Sequence, residues 1–196
     1  MADRPQTGDN DGAYQSFLAI RMEHGLEAAE LDELRARLGD EQVDLMLRAR
    51  EVALHPRPLS QPERMDFDAV MNPVLADLQA AGAIVPEVRY EAWEDHPDCV
   101  FAFIGSPGET AGSQGVRVER SGRAGLRLTE LAEQVQGWEV EALAEAGRPA
   151  TWPECPEHPG SHPLEPCAES AERAIWRCPR SHRVVCTIGE LGGSSR

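Results

Sequence analysis

Apolar residues recur at helical spacing in the first quarter of the chain. Their positions predict helices over residues 13–24, 27–38 and 41–54, and we expect the first two to end at Gly25 and Gly39. Residues 1–12 are polar and are predicted to be disordered. The first quarter therefore reads as a helical segment over 13–55.

Between residues 55 and 150 the sequence predicts both helical and strand segments. Three prolines within 55–62 predict an extended linker. Residues 68–81 predict either one helix interrupted at Pro73 or a turn followed by a helix that begins there. Alternating or short apolar runs predict three strands, at 85–93, 100–104 and 115–119.

The most regular stripe of apolar residues lies after these strands. It advances by three and four residues, which keeps its members on one helix face, and it predicts a helix over 126–146 with Trp138 as a core anchor. We therefore predict an α+β fold: N-terminal helices, a small antiparallel sheet covered by a long helix, and a C-terminal β-hairpin. The predicted divisions are a helical segment over 13–55, an α+β body over 56–150 and a tail over 151–196.

Composition and charge narrow the classes of function. All 19 basic residues are arginine, so the chain offers neither a P-loop lysine nor a lysine for a Schiff base or pyridoxal phosphate. The formal net charge of −15 argues against nucleic acid as the partner. We expect no membrane segment, because no apolar run approaches about 20 residues. The N-terminus lacks an apolar signal core, and we expect a cytoplasmic location.

The tail is the part with specific chemistry, because seven cysteine and histidine residues fall between positions 155 and 186. Such crowding in a reducing compartment is typical of zinc binding. Two ligand-bearing turns would supply four ligands, and we predict the zinc ligands Cys155, His158, His162 and Cys178.

The choice of the fourth zinc ligand stays open. Cys178 shares a predicted strand face with Trp176, which favours Cys178 as a ligand. His162 is the leading fourth ligand, and His182 and Cys186 are the alternatives to it. Cys167 falls in a polar stretch, where we predict a loop and a free thiol.

The tail also resembles known sequences. The order WPECPEHPGSHPL followed by WRCPRSHRVVCTIGEL looks like a zinc ribbon, that is, a ligand-bearing loop followed by a β-hairpin. It is similar to the C-terminal tails of uncharacterised actinobacterial proteins, over about the last quarter of the chain. The resemblance implies a zinc-ribbon-like tail and brings no activity with it. Unlike a standard ribbon, this tail has histidine in its first knuckle and no second CxxC.

Three functions remain open from the sequence. The first is a non-enzymatic adaptor that binds a protein partner and uses zinc for stability. The second is a zinc-dependent hydrolase with Glu154 or Glu157 as its base. The third is contact with an anion or nucleic acid through Arg173 and Arg177, which share a predicted strand face. The first is our expectation, because many sulfur and imidazole donors favour a closed, structural site.

Overall fold

The computed structural model describes residues 28–40, 42–43, 56–93, 96–108 and 113–194. The chain divides into two compact units, Met1–His55 and Pro56–Arg196. In the first unit, helix α1 spans Ala28–Leu38, within one residue of the predicted helix over 27–38. The predictions for residues 1–24 and 44–54 fall outside the described residues.

In the second unit, helix α2 spans Gln61–Ala80, and both predicted starting points were too late. The helix begins seven residues before 68, because Glu63 stabilises its first turn. The Glu63 carboxylate accepts hydrogen bonds from the backbone N–H and the hydroxyl of Ser60, at 2.8 and 2.7 Å. Pro73 lies inside the helix without ending it.

The proline-rich stretch is part of the body, which corrects the predicted linker. Strand β1, Arg57–Pro58, pairs antiparallel with strand β3, Glu91–Ala92. The predicted strand over 85–93 is accordingly two strands, since β2, Glu87–Arg89, pairs elsewhere. Tyr90 lies between β2 and β3 and donates its hydroxyl hydrogen to Asp68, at 2.7 Å.

Strand β4 spans Cys99–Gly105 and β5 spans Gln114–Glu119, close to the predicted strands. Together with β2 they form the three-stranded antiparallel sheet of the body, in the order β2-β4-β5. Helix α3 spans Ala124–Glu145 and buries Trp138, as its apolar stripe predicts. The predicted α+β class, with a small antiparallel sheet and a long helix, is confirmed.

The tail forms a second three-stranded antiparallel sheet. Its strands, in spatial order, are β6, Glu165–Ala168, β7, Ala174–Arg177, and β8, Val184–Thr187. Strands β7 and β8 are the predicted hairpin. Strand β6 was missed, and Cys167 lies half-buried in it and not in a loop. A 3₁₀ turn over Leu191–Ser194 follows β8.

The tail and the body share one hydrophobic core. Leu164, Trp176 and Ile188 of the tail are buried in the same cluster as the apolar faces of α2 and α3. The backbone N–H of Gly125 in α3 also donates to the Ala171 carbonyl between β6 and β7, at 2.8 Å. The tail is therefore built onto the body. Among the residues that the structure describes, none of the helices could serve as a membrane span.

Candidate metal centre

Three of the predicted ligands lie on one loop, residues 153–164, whose two ends are held together. The Leu164 N–H donates to the Pro153 carbonyl, at 2.8 Å. From α3, the Gln136 amide donates to the Trp152 and Leu164 carbonyls, at 2.9 and 2.7 Å. Inside the loop, the Glu154 carboxylate accepts the Gly160 N–H at 2.8 Å. Cys155, His158 and His162 are thus presented from a loop fastened to the long helix.

The fourth predicted ligand, Cys178, directly follows β7 and opens a tight turn. The His182 N–H donates to the Cys178 carbonyl at 2.9 Å, and the Ser181 N–H lies 3.4 Å from the Cys178 Sγ. His182 has a φ of 58°, in the left-handed region that closes the turn. The turn directs an amide dipole at the sulfur, which favours the thiolate.

The four side chains converge. One ligand atom from each of Cys155, His158, His162 and Cys178 lies within 4.8 Å of the other three. His158 Nδ1 lies 3.6 Å from the Cys155 Sγ and 3.5 Å from the Cys178 Sγ, and His162 Nε2 lies 3.9 Å from the Cys178 Sγ. Both cysteines have an exposed fraction of 0% and both histidines are half-buried. This Cys2His2 group could hold a metal ion.

Hydrogen bonding assigns a different nitrogen of each histidine to the cluster. His162 Nδ1 lies 2.8 Å from the Pro163 carbonyl oxygen, which can only accept, so Nδ1 carries the hydrogen and Nε2 is free to bind a metal. His158 instead turns Nδ1 toward both sulfur atoms.

The pKa of the thiol differs between Cys178 and Cys186, which is one of the alternative ligands. Burial acts to raise the pKa of the Cys178 thiol, but hydrogen bonds from Ser181 and from the Arg180 backbone outweigh it and lower the pKa to about 6. At Cys186, burial and then the charge of Asp77 raise the pKa to about 11. At neutral pH the thiolate that a metal requires is therefore available at Cys178.

The alternative ligands lie outside the cluster. Cys186 is buried in the hydrophobic core opposite Trp176 in the neighbouring strand, and His182 is exposed at the end of the turn. Cys167 is also outside the cluster, with its thiol 3.9 Å from the Ala168 carbonyl.

The two arginines predicted to contact an anion are each paired with a glutamate of the tail. Arg173 Nη1 lies 2.6 Å from a Glu169 oxygen, and Arg177 Nη2 lies 2.6 Å from a Glu165 oxygen. The Glu165 carboxylate raises the pKa of Arg177 through a hydrogen bond and its charge. Neighbouring carboxylates thus already occupy both guanidinium groups.

Glu157 joins the two ligand-bearing turns. Its carboxylate accepts the Ser181 hydroxyl hydrogen and pairs with Arg183 Nη1 at 2.7 Å. The bond from Ser181 lowers the pKa of Glu157, so its carboxylate is ionised at neutral pH. Since Glu154 holds the Gly160 amide, both glutamates considered as a catalytic base have contacts that shape the site.

Sequence reasoning missed two residues that support the site. Gln136 lies on the face of α3 toward the loop, and nothing in its sequence context distinguishes it from a surface glutamine. Asp77, which holds the tail on α2, does leave a signal: it is an acid beside Val74 and Leu78 on the apolar stripe of that helix. A buried acid on such a stripe needs donors from a neighbouring element.

No family model, curated protein or solved structure matches this chain.

Proposed function

We propose that the metal is zinc and that this protein is a non-enzymatic interaction or adaptor protein whose tail a structural zinc ion stabilises. The convergence of the four ligand atoms carries the proposal. Tetrahedral zinc, with Zn–S of about 2.3 Å and Zn–N of about 2.0–2.1 Å, places a sulfur and a nitrogen about 3.6 Å apart. The three sulfur–nitrogen separations, 3.5, 3.6 and 3.9 Å, fit that value.

The donor set favours a structural over a catalytic ion. Catalytic zinc sites have three protein ligands and a water at the fourth position, whereas two thiolates and two imidazoles complete a tetrahedron. The two cysteine ligands are fully buried. Glu154 and Glu157, the bases that a hydrolase would need, are bound to Gly160, Ser181 and Arg183.

The location of the ion explains what it would stabilise. Loop 153–164 is made mostly of turns, and the Cys178 turn is short, so neither can bury much apolar surface of its own. Zinc would join the two and hold the tail sheet to the body, since binding energy at such a site is folding energy. All five cysteines are free thiols, and we place the protein in the reducing cytoplasm.

The role as an interaction protein follows from charge and from the closed site. We infer a protein partner, because a chain with a net charge of −15 is repelled by nucleic acid and by anionic membranes. Neutralisation of Arg173 and Arg177 by Glu169 and Glu165 removes the cations that anion contact would use.

X-ray absorption at the zinc edge of the purified, reduced protein tests the proposal. A structural site predicts two sulfur and two nitrogen neighbours, unchanged in Glu157→Gln. Three protein ligands with one exchangeable oxygen would support the hydrolase instead. A spectrum in which all neighbours are oxygen would mean adventitious zinc and would sink the proposal.

A further inference from the structure

The carboxylate of Asp77, in α2, holds the tail on the body. Its exposed fraction is 0%, and it accepts three hydrogen bonds from the tail. Oδ2 accepts from the Trp176 indole N–H and the Gly189 backbone N–H, both at 2.7 Å, and Oδ1 accepts from the Leu191 N–H at 2.8 Å. A buried charge of this kind depends on its donors.

Strand β7 connects Asp77 to the metal centre. Trp176, the indole donor, lies in β7, two residues before the ligand Cys178, which directly follows that strand. Its ring packs edge-on against Trp152, with centroids 5.4 Å apart, and Trp152 precedes the ligand Cys155 by three residues. A metal that joins Cys155 to Cys178 therefore also fixes the position of the Trp176 indole, which donates a hydrogen bond to Asp77.

The segment after β8, which we call the C-terminal strap (residues 189–193), is attached to α2 mainly through Asp77. Gly189 and Gly192 allow a close approach to the helix: a Cβ would lie 3.1 Å from the Pro73 Cβ at Gly189, and 2.8 Å from the Ala80 Cβ at Gly192. Three of the five strap residues are glycine, and the strap adds only half-buried Leu191 as apolar surface. Its docking therefore depends on the two backbone hydrogen bonds to Asp77.

We propose that metal binding controls the docking of the C-terminal strap on α2. The proposal rests on the metal site proposed above. Without the metal, loop 153–164 and the Cys178 turn lose the link through the four ligands and keep the contacts of Glu157 with Ser181 and Arg183. Strand β7 then loosens at its end, and the Trp176 N–H leaves Asp77. Water then enters to hydrate the carboxylate and competes with the strap amides. The strap is released while α2, α3 and the body sheet stay folded, and the Pro73, Asp77 and Ala80 face of α2 becomes accessible.

The coupling is reciprocal, because two sites that share one equilibrium affect each other by the same factor. If zinc favours the docked strap, a variant with a weakened strap binds zinc less tightly. Asp77→Asn keeps the size of the side chain but loses the charge and one acceptor. Asp66→Asn is the matched control, since Asp66 lies in the same helix and pairs with Arg127 at 2.7 Å, away from the tail.

Hydrogen exchange of the full chain, with zinc and after chelation under reducing conditions, tests the proposal. We expect the Gly189 and Leu191 amides to exchange at least about tenfold faster without zinc, while amides of α2 and α3 keep their protection. We also expect Asp77→Asn to bind zinc about tenfold more weakly, with Asp66→Asn unchanged. If Asp77→Asn does not fold, removal of residues 191–196 replaces it, with the same expected loss of affinity.

Other outcomes separate the two proposals. If zinc binds at four ligands but strap protection does not change on chelation, the coupling is wrong and the metal site stands. The coupling is equally wrong if α2 and α3 lose protection together with the strap, because the strap is then not separately released. If no zinc binds, the metal site itself fails.

Discussion

The Cys178 Sγ lies 3.5 Å from His158 Nδ1, although twenty residues and two strands separate the two side chains. Each belongs to a different turn, and each turn is held from outside the cluster, by Gln136 on one side and by β7 on the other. The fold thus brings the donors together through backbone and helix contacts, and the metal would complete an arrangement that these contacts prepare.

His182→Gly tests the choice of ligands. His182 adopts a left-handed φ of 58° and lies outside the cluster, so glycine should relieve backbone strain without removing a donor. We expect zinc content to be unchanged and the free energy of unfolding to rise by up to about 1 kcal/mol. His162→Ala, measured beside it, should lose most of the zinc; the reverse pattern would show that His182 is the ligand.

Glu157→Gln tests the link between the two ligand-bearing turns. The charge that orders Ser181 and Arg183 is lost, and we expect zinc affinity to fall by about tenfold or less. Competition with a chromogenic chelator measures this. The matched control is Glu169→Gln, which also removes an arginine partner but lies outside the cluster. Equal losses in both variants would contradict a specific role for Glu157.

Two glycines of α3 should respond to alanine in opposite directions. A Cβ at Gly125 would lie 2.5 Å from the Ser170 carbonyl oxygen and 2.8 Å from the Arg173 nitrogen, both backbone atoms that cannot easily move. A Cβ at Gly137 would contact none of the described residues within 4 Å. Urea denaturation should show a loss of about 1–3 kcal/mol for Gly125→Ala. Gly137→Ala should gain about 0.5–1 kcal/mol. A stable Gly125→Ala would disprove the close docking of α3 against the tail.

Glu139 should make stability fall as pH rises. Burial raises the pKa of this carboxyl above its unfolded value, against the hydrogen bond from the Ile84 N–H and the charge of Arg148. The folded state therefore retains the proton longer, and stability is lost between the unfolded pKa, about 4.3, and the raised folded pKa. Its Oε2 is also buried and has no hydrogen-bond partner among the residues that the structure describes.

Glu139→Gln removes this pH-dependent loss and keeps an acceptor for the Ile84 amide. Relative to wild type, we expect the variant to gain stability from pH 4 to pH 7, reaching about 1 kcal/mol. Thermal unfolding across that range measures it. Glu141→Gln, at an exposed position of the same helix, is the matched control. A Glu139→Gln difference that does not depend on pH would refute the prediction.

The sequence predicts the long helices and the ligand-rich tail because both depend on local patterns. The apolar residues of α3 recur with the period of a helix, so they predict that helix directly. Cys155 and His158 converge because they are only three positions apart. The start of α2 depends on Glu63, which caps the first turn of its own helix. The proline-rich stretch just before this turn predicts an extended chain and not a helix start. The period of the apolar residues alone placed that start too late.

Contacts between distant parts of the chain could not be predicted. Strand β1 exists because Arg57 and Pro58 pair with residues more than thirty positions later, and two residues carry little pattern of their own. The sequence alone does not show that Gln136 holds loop 153–164 or that Glu157 contacts the Cys178 turn. Each of these contacts joins segments that are distant along the chain. The spacing of cysteine and histidine along the chain indicates that two turns supply the ligands. Which of the candidate residues converge depends on how the two turns pack.

The most direct test of the metal centre is the zinc content of freshly purified, reduced protein by elemental analysis. Wild type and Cys167→Ser should each carry about one zinc per chain, whereas Cys155→Ser and Cys178→Ser should carry almost none. Cys167 is the matched control because it is a half-buried thiol of the same tail outside the cluster. Wild-type protein without zinc, or Cys178→Ser with full zinc, would contradict the proposed zinc centre.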